Sequence, residues 1–164
     1  MTFLLRSATT ADIPQILAIV NHTIKTSTAN YHYDAQTLAE QTAWFESKQE
    51  HKFPVWVAIE NQQVLGYGTY GVFREKIGYQ FTIEHSVYVK EDQQGKGIGK
   101  ALLSQLIAQA KSEGYHVMVG GIDANNAESI AFHQKMGFEI VGHLKEVGYK
   151  FNQWLDLCFM QLKL

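Results

Sequence analysis

Residues 86–103 read Ser-Val-Tyr-Val-Lys-Glu-Asp-Gln-Gln-Gly-Lys-Gly-Ile-Gly-Lys-Ala-Leu-Leu. A β-branched apolar run stops at Val89. A polar turn follows, and Gly95, Gly97 and Gly99 stand at alternate positions before a helical pattern starts. Strand, glycine loop and helix in this order bring bare backbone N–H groups and a helix N-terminus around an anion. Glycine lets the backbone approach phosphate closely and take up positive φ. Lys96 and Lys100 add positive charge beside it. The stretch predicts a site for a phosphate-bearing ligand.

Two familiar phosphate loops do not fit. A Walker loop needs Gly-x-x-x-x-Gly-Lys-Ser/Thr, and no such string occurs. A dinucleotide fingerprint needs a third glycine where Lys100 stands. What remains is Gln94-x-x-Gly97-x-Gly99, for which a plain surface turn is the rival reading.

Outward from the loop, the apolar run at 81–89 predicts a strand leading in, and Ile98, Leu102, Leu106 and Ala110 predict a helix over about 97–113 closed by Gly114. Upstream come a short strand at 3–6 and a helix at about 11–25, capped by Thr9 or Thr10. A second helix at about 35–48 would be capped by Asp34. A hairpin follows, with strands at 54–59 and 64–73 about the turn Asn61-Gln-Gln. Downstream come a doubly apolar strand at 116–122, a helix at 126–136 closed by Gly137, and strands at 138–144 and 154–162. The order β-α-α-β-β-β-α-β-α-β-β predicts an α/β mixed sheet with a parallel crossover through the 97–113 helix.

The 164 residues suit one domain, 1–164, with its own core. Apolar residues make up 46% and only two prolines occur, a globular rather than a disordered composition. A net charge of −2 with scattered Lys and Arg gives no basic block for nucleic acid. Cys158 is the sole cysteine, so no internal disulfide can form, and its apolar surroundings predict burial. No histidine pairs with cysteine or another histidine at metal-ligand spacing, so no metal is expected. No stretch is long and apolar enough to span a membrane, and residues 1–6 are too short for a leader core. A cytoplasmic protein is the default expectation.

Glu84 is the leading catalytic candidate. It shares a strand face with Ser86 and Tyr88, just before the glycine loop. A carboxylate there can take a proton from an amine, directly or through water, and partial burial would raise its pKa toward a useful range. A solvent-facing strand glutamate is the competing reading. Asn126, Ser129 and His133, spaced by three and seven from the first, share one helix face. Asn126 could bond an amide-rich ligand and His133 could protonate a leaving group; alternatively Asn126 only caps its helix and His133 is a half-buried surface residue. Arg74 could bind a carboxylate in a bidentate fork, with Tyr79 walling the pocket, or be a solvated loop residue. Tyr31, Tyr33 and Trp44 point to core or dimer packing, and His22, His32, His51 and His143 to surface or satisfied residues.

The glycine loop resembles the pyrophosphate loop of the GNAT N-acetyltransferases. Three longer segments resemble their phosphinothricin and methionine sulfoximine/sulfone acetyltransferase branch: Phe73-Arg74 with Glu84-His-Ser-Val-Tyr-Val89, Gly120-Gly-Ile-Asp-Ala-Asn-Asn126, and Val147-Gly-Tyr-Lys-Phe-Asn-Gln-Trp-Leu-Asp-Leu157. The resemblance implies the GNAT fold, with a central mixed, mostly antiparallel sheet flanked by helices. It also implies acetyl-CoA as co-substrate, direct transfer in a ternary complex to a small amino-acid-like amine, and a homodimer. By position, Glu84 resembles the base, Val87, Val89 and Gly95, Lys96, Gly97, Ile98, Gly99 and Lys100 the acetyl-CoA strand and loop, and Asn126 the cofactor-contacting asparagine. Many acetyltransferases carry tyrosine where His133 stands. Another small amine, a protein N-terminus, or a non-catalytic acetyl-CoA sensor are the alternatives.

Overall fold

The computed structural model describes residues 3–164; Met1 and Thr2, which open the stretch read for a leader, lie outside the described residues. These residues form one seven-stranded sheet and four α-helices: β1 (Leu4–Ser7), α1 (Ile13–Thr26), α2 (Leu38–Glu50), β2 (Val55–Glu60), β3 (Gln63–Val72), β4 (Thr82–Val89), α3 (Ile98–Ser112), β5 (Val117–Asp123), α4 (Ala127–Lys135), β6 (Glu139–Lys150) and β7 (Gln153–Lys163). The sheet order is β1-β2-β3-β4-β5-β7-β6. Only β4–β5 pairs in parallel, through the α3 crossover; the other neighbours are antiparallel. The expected element order and mixed sheet are therefore those observed.

Local chemistry sets the helix ends. α2 starts three residues later than Asp34 would place it. Thr37 Oγ1 accepts the Glu40 N–H at 3.2 Å and the Glu40 carboxylate accepts the Thr37 N–H at 2.7 Å, a reciprocal capping box. Ahead of α1, Asp12 takes a two-pronged bond from Arg6 at 2.7 and 2.8 Å and the Thr9 N–H at 2.7 Å. Gly97 caps α3 at φ 82°, in the left-handed region, and Gly114 follows the helix at φ 82°.

The sheet is covered on both faces. α3 buries Ile98, Leu102, Leu103, Leu106 and Ala110, partly against Tyr70, Ile83, Met118 and Met160. Each large aliphatic side chain contributes roughly 1.5–3 kcal/mol by burial, so Leu106→Ala would cost about 2–5 kcal/mol with its cavity included. α3 can sit this close because β3 is bare at Gly68, where a Cβ would stand 3.1 Å from Leu106 Cδ1. α1 and α2 cover the other face through Ile13, Ile16 and Phe45 against Val57, Val64 and Tyr67.

β6 runs to Lys150, well past the 144 expected. Register shifts at 140–142 and 144–148, with Glu146 at φ 54°, let the strand resume after its polar stretch. Cys158 is buried and free, as its apolar run predicts.

Candidate active site

The parallel pair fixes the site. β4 and β5 are in register from Thr82↔Val117 only as far as Glu84↔Val119, although β4 continues to Val89 and β5 to Asp123. Beyond Glu84 the two strands part, and backbone that would close the ladder lines a cleft instead.

Two cavities meet at this split. On the α1/α2 face, one of about 510 Å³ is lined by Glu84, Ser86 and Tyr88 of β4, Gly121 and Asp123 of β5, and the loop after α1 from Thr28 to His32. Leu157 and Phe159 of β7 close its far side. On the α3/α4 face, one of about 390 Å³ is lined by Val87, Val89, Gly95, Gly97, Ile98, Gly99 and Lys100, with Asn126, Ser129 and His133 opposite. A narrower space of about 90 Å³ shares Ser86, Gly121 and Asp123 with the first and Val87, Asn126, Ser129 and His133 with the second. The sheet is thus perforated where its strands diverge.

The second cavity suits a phosphate-bearing, amide-rich ligand. The first hydrogen bond of α3 runs from the Ala101 N–H to the Gly97 carbonyl at 3.0 Å, so the N–H groups of Ile98, Gly99 and Lys100 precede the helical ladder. Asn126 caps α4 by accepting the Ser129 N–H on Oδ1 at 3.0 Å, which leaves its amide N–H₂ for another partner. Both of its sequence-derived roles are therefore compatible. Lys96 is not part of the lining; its ammonium donates to Gln93 Oε1 at 2.9 Å.

Glu84 stands at the last rung of the β4–β5 ladder and lines the first cavity. Burial raises its pKa from the ordinary carboxylate range, and the Arg74 charge partly opposes the rise. On the same face, Tyr88 is pushed up by burial and its hydroxyl takes a long bond of 3.5 Å from Asn30.

His133 is not the half-buried surface residue of the bland reading: it is 7% exposed. Its Nδ1 lies 2.7 Å from the Ser129 carbonyl. A carbonyl only accepts, so the ring proton sits on Nδ1 and Nε2 carries a lone pair. That Nε2 is buried with no partner among the described residues. Burial lowers the pKa of His133, and the Ser129 carbonyl partly resists. With Nδ1 engaged, Nε2 is the ring nitrogen left to meet a ligand in the cleft.

Behind it, His85 stacks at 5.1 Å and 5° from parallel, its pKa driven down to about 3 by burial and then by His133. The sequence reading passed over His85. The available signal was parity: Ile83, Val87 and Val89 make one face apolar, and a histidine interrupts it.

Arg74 and Tyr79 are exposed and line neither cavity. They cluster at the rim through Phe73, whose ring lies 5.2 Å from Arg74 Cζ, 5.8 Å from Tyr79 and 6.4 Å from Phe159 of the cavity wall. Tyr31 and His32, read as packing and surface residues, line the first cavity, whereas Trp44 packs edge-on against Tyr67 at 6.1 Å. His22, His51 and His143 are exposed and bonded to Glu91, Ser47 and Asp156. Asp123, 6% exposed, was not singled out; it accepts the Asn125 N–H at 3.0 Å and the Thr28 hydroxyl. Among the described residues, no group of three or more His, Cys, Asp or Glu could hold a metal ion, and no helix is long and apolar enough to cross a membrane.

A mixed sheet split at its one parallel pair, with a glycine loop feeding a helix N-terminus beside the split, defines the N-acetyltransferase class of fold. The chain belongs to the GNAT acetyltransferases: the family profile described as "Acetyltransferase (GNAT) domain" matches residues 5–159. The L-methionine sulfoximine/L-methionine sulfone acetyltransferase of Pseudomonas aeruginosa is 46% identical over 165 residues, covering 100% of this chain and 96% of the relative. The structure of yncA from Salmonella typhimurium with its cofactor acetyl-CoA superposes with a TM-score of 0.96 at 42% identity, covering 100% of this chain and 95% of that one. A GNAT superfamily phosphinothricin acetyltransferase from Sinorhizobium meliloti, in complex with acetyl-CoA, gives 0.96 at 36% identity, covering 100% and 89%.

Proposed function

We propose that residues 1–164 act as one N-acetyltransferase domain that moves acetyl from acetyl-CoA to the α-amino group of a small amino acid of the methionine sulfoximine, methionine sulfone or phosphinothricin type. The observation that carries this reading is the position of Glu84: it lines the α1/α2-face cavity at the last rung of the β4–β5 ladder, and the same strand runs on through Ser86 of the connecting space to Val87 and Val89 of the glycine-loop cavity on the other face. The names of the relatives support the substrate class, and the acetyl-CoA in the two solved neighbours supports the co-substrate.

In this reading Val87, Val89, Gly95, Gly97, Ile98, Gly99, Lys100, Asn126 and Ser129 hold acetyl-CoA, which supplies an activated thioester. Lys96 adds long-range charge from outside the lining. An ammonium has no lone pair with which to attack a thioester, so the amine must be neutral. Glu84, ionised and half-buried, takes that proton directly or through water. The amine and thioester are held together in one ternary complex, and positioning supplies much of the rate. His133 presents Nε2 at the cleft wall, and the departing thiolate takes its proton from His133, from solvent or from Glu84, which has just received one from the amine. Arg74 and Tyr79 meet the amino acid at the cavity mouth.

A homodimer belongs to the same reading, supported by Val147, Tyr149, Phe151 and Trp154, which are exposed on the β6–β7 hairpin. A cytoplasmic location goes with its free thiol, Cys158. The test is acetyl-CoA consumption across amino acids, methionine sulfone, phosphinothricin, polyamines, aminoglycosides and peptides. Turnover of the small amino acids is expected; turnover confined to polyamines, aminoglycosides or peptide N-termini would overturn the substrate assignment.

A further inference from the structure

β6 has twelve residues, and only Gly148 and Lys150 are buried. Both face the loop that roofs the first cavity. A Cβ on Gly148 would stand 2.5 Å from Tyr31 Cε2, so the Tyr31 ring lies flat on the glycine. Lys150 is 3% exposed, and its ammonium donates to the carbonyls of Ile24 at 2.7 Å, Ser27 at 2.8 Å and Asn30.

A buried ammonium is costly unless its hydrogen bonds are satisfied. Here all three N–H donors go to backbone carbonyls. Ile24 is in the last turn of α1, where carbonyls lack helical partners and a cation is favoured. Ser27 and Asn30 come from the loop itself. Three carbonyls that would repel one another, spread over seven residues of chain, are drawn to one point. The same loop is tied on its other side by the Thr28 hydroxyl to Asp123, and Tyr33 donates its hydroxyl to the Tyr149 carbonyl. No apolar side chain at 150 could hold the carbonyls together.

We propose that Lys150 is a positioning residue for the amine substrate: by gathering the Ile24, Ser27 and Asn30 carbonyls it fixes the roof of the 510 Å³ cavity in the shape the amino acid requires. This rests on the reading of that cavity as the amine site. Lys150 touches neither the reacting atoms nor the acetyl-CoA cavity, so its loss acts on one substrate only. The hairpin that carries it also exposes Tyr149 and Trp154, and Phe151 at the turn lies 4.9 Å from the ammonium. The roof is thus set by the hairpin.

The test uses the full chain with Lys150→Met and, independently, Gly148→Ala, which displaces Tyr31 without touching the ammonium. Hydrogen exchange over 27–33, KM for methionine sulfone and the Kd for acetyl-CoA are measured for each. Faster exchange over 27–33, an amine KM raised about tenfold or more, and an acetyl-CoA Kd within about twofold of wild type are expected. Unchanged exchange in Lys150→Met overturns the anchoring, and faster exchange with an unchanged amine KM overturns the positioning role. If Lys150→Met does not fold, Lys150→Gln, which keeps two N–H donors and removes the charge, takes its place, and the same two results overturn the proposal. The cavity assignment is tested separately in wild type: methionine sulfone added with CoA must protect 27–33 and 84–88 from exchange, and no protection there would refute the assignment whatever the variants do.

Discussion

Glu84 Oε1 lies 3.3 Å from the point a Cβ on Gly121 would occupy. The carboxylate of one strand therefore hangs over bare backbone of the next, two positions past the end of their shared ladder. A side chain at 121 would press on it. The space that makes Glu84 usable is made by a glycine on a different strand, 37 residues away.

Glu84→Gln keeps the shape and removes the basicity. A loss of about 10²- to 10⁴-fold in kcat is expected, with acetyl-CoA affinity unchanged. Wild-type kcat/KM should rise with pH as Glu84 ionises, along a limb above the ordinary carboxylate range because burial raises its pKa. Arg74 opposes that rise, so Arg74→Ala should move the limb to higher pH, and Glu84→Gln should abolish it. The same shift bears on stability. A carboxyl whose folded pKa is raised disfavours folding once pH exceeds its unfolded pKa, so Glu84→Gln should melt no lower than wild type at pH 7. An unaltered pH–rate profile in Glu84→Gln would make Glu84 structural only.

Gly97→Val tests the phosphate loop. Gly97 holds φ 82° and ψ 0°, where a β-branched residue is strained by about 1–2 kcal/mol, and the new side chain would stand where phosphate must meet backbone. Calorimetry should show acetyl-CoA affinity largely lost while circular dichroism keeps the wild-type fold. Wild-type affinity would remove the loop from the cofactor site.

The loop was readable because its chemistry is local. Strand, glycines and helix N-terminus are contiguous, and Glu84 is only eleven residues from Gly95. Where sequence reading failed, the cause was distant or competing. Asp34 lost the α2 cap to Thr37 because only Thr37 has a Glu three residues on to complete the box. The roof from Thr28 to His32 has no motif of its own; Asp123 and Lys150, both distant in the chain, tie it and the turn before it in place. The direction of His133's proton could not be read from its spacing, because the Ser129 carbonyl that fixes the tautomer is a backbone group.

Trp154, 63% exposed and 4.8 Å from the Tyr149 ring, is the place to test the dimer. Light scattering should give wild type twice the 18.6 kDa chain mass, and Trp154→Glu should fall toward one chain mass because an aromatic centre is replaced by a charge that must be desolvated. A wild-type mass of one chain at all concentrations would refute the dimer.

Arg74 is expected to read the α-carboxylate of the substrate. Its charge is felt at Glu84, so the rim cation lies within electrostatic reach of the cleft carboxylate. An amino acid that presents its amine to Glu84 carries its carboxylate a few ångströms away, toward the mouth where Arg74 lies on Phe73. A guanidinium binds carboxylate through two parallel N–H bonds and so fixes orientation as well as charge, which a lysine would not. Charge-assisted bonds of this kind contribute roughly 1.5–3 kcal/mol each, or about 10- to 150-fold in affinity for one. The exposure of Arg74 reduces its contribution until substrate covers it, which places the expected effect near the lower end. Arg74→Ala should therefore raise KM for free amino acids about tenfold or more and leave acetyl-CoA binding unchanged. Amidating the substrate carboxylate should reproduce that rise in the wild-type enzyme and add nothing in Arg74→Ala, since each change removes the same contact. Should wild type acetylate amino-acid amides as well as the free acids, the carboxylate is not read, and both the role of Arg74 and the amino-acid assignment fall.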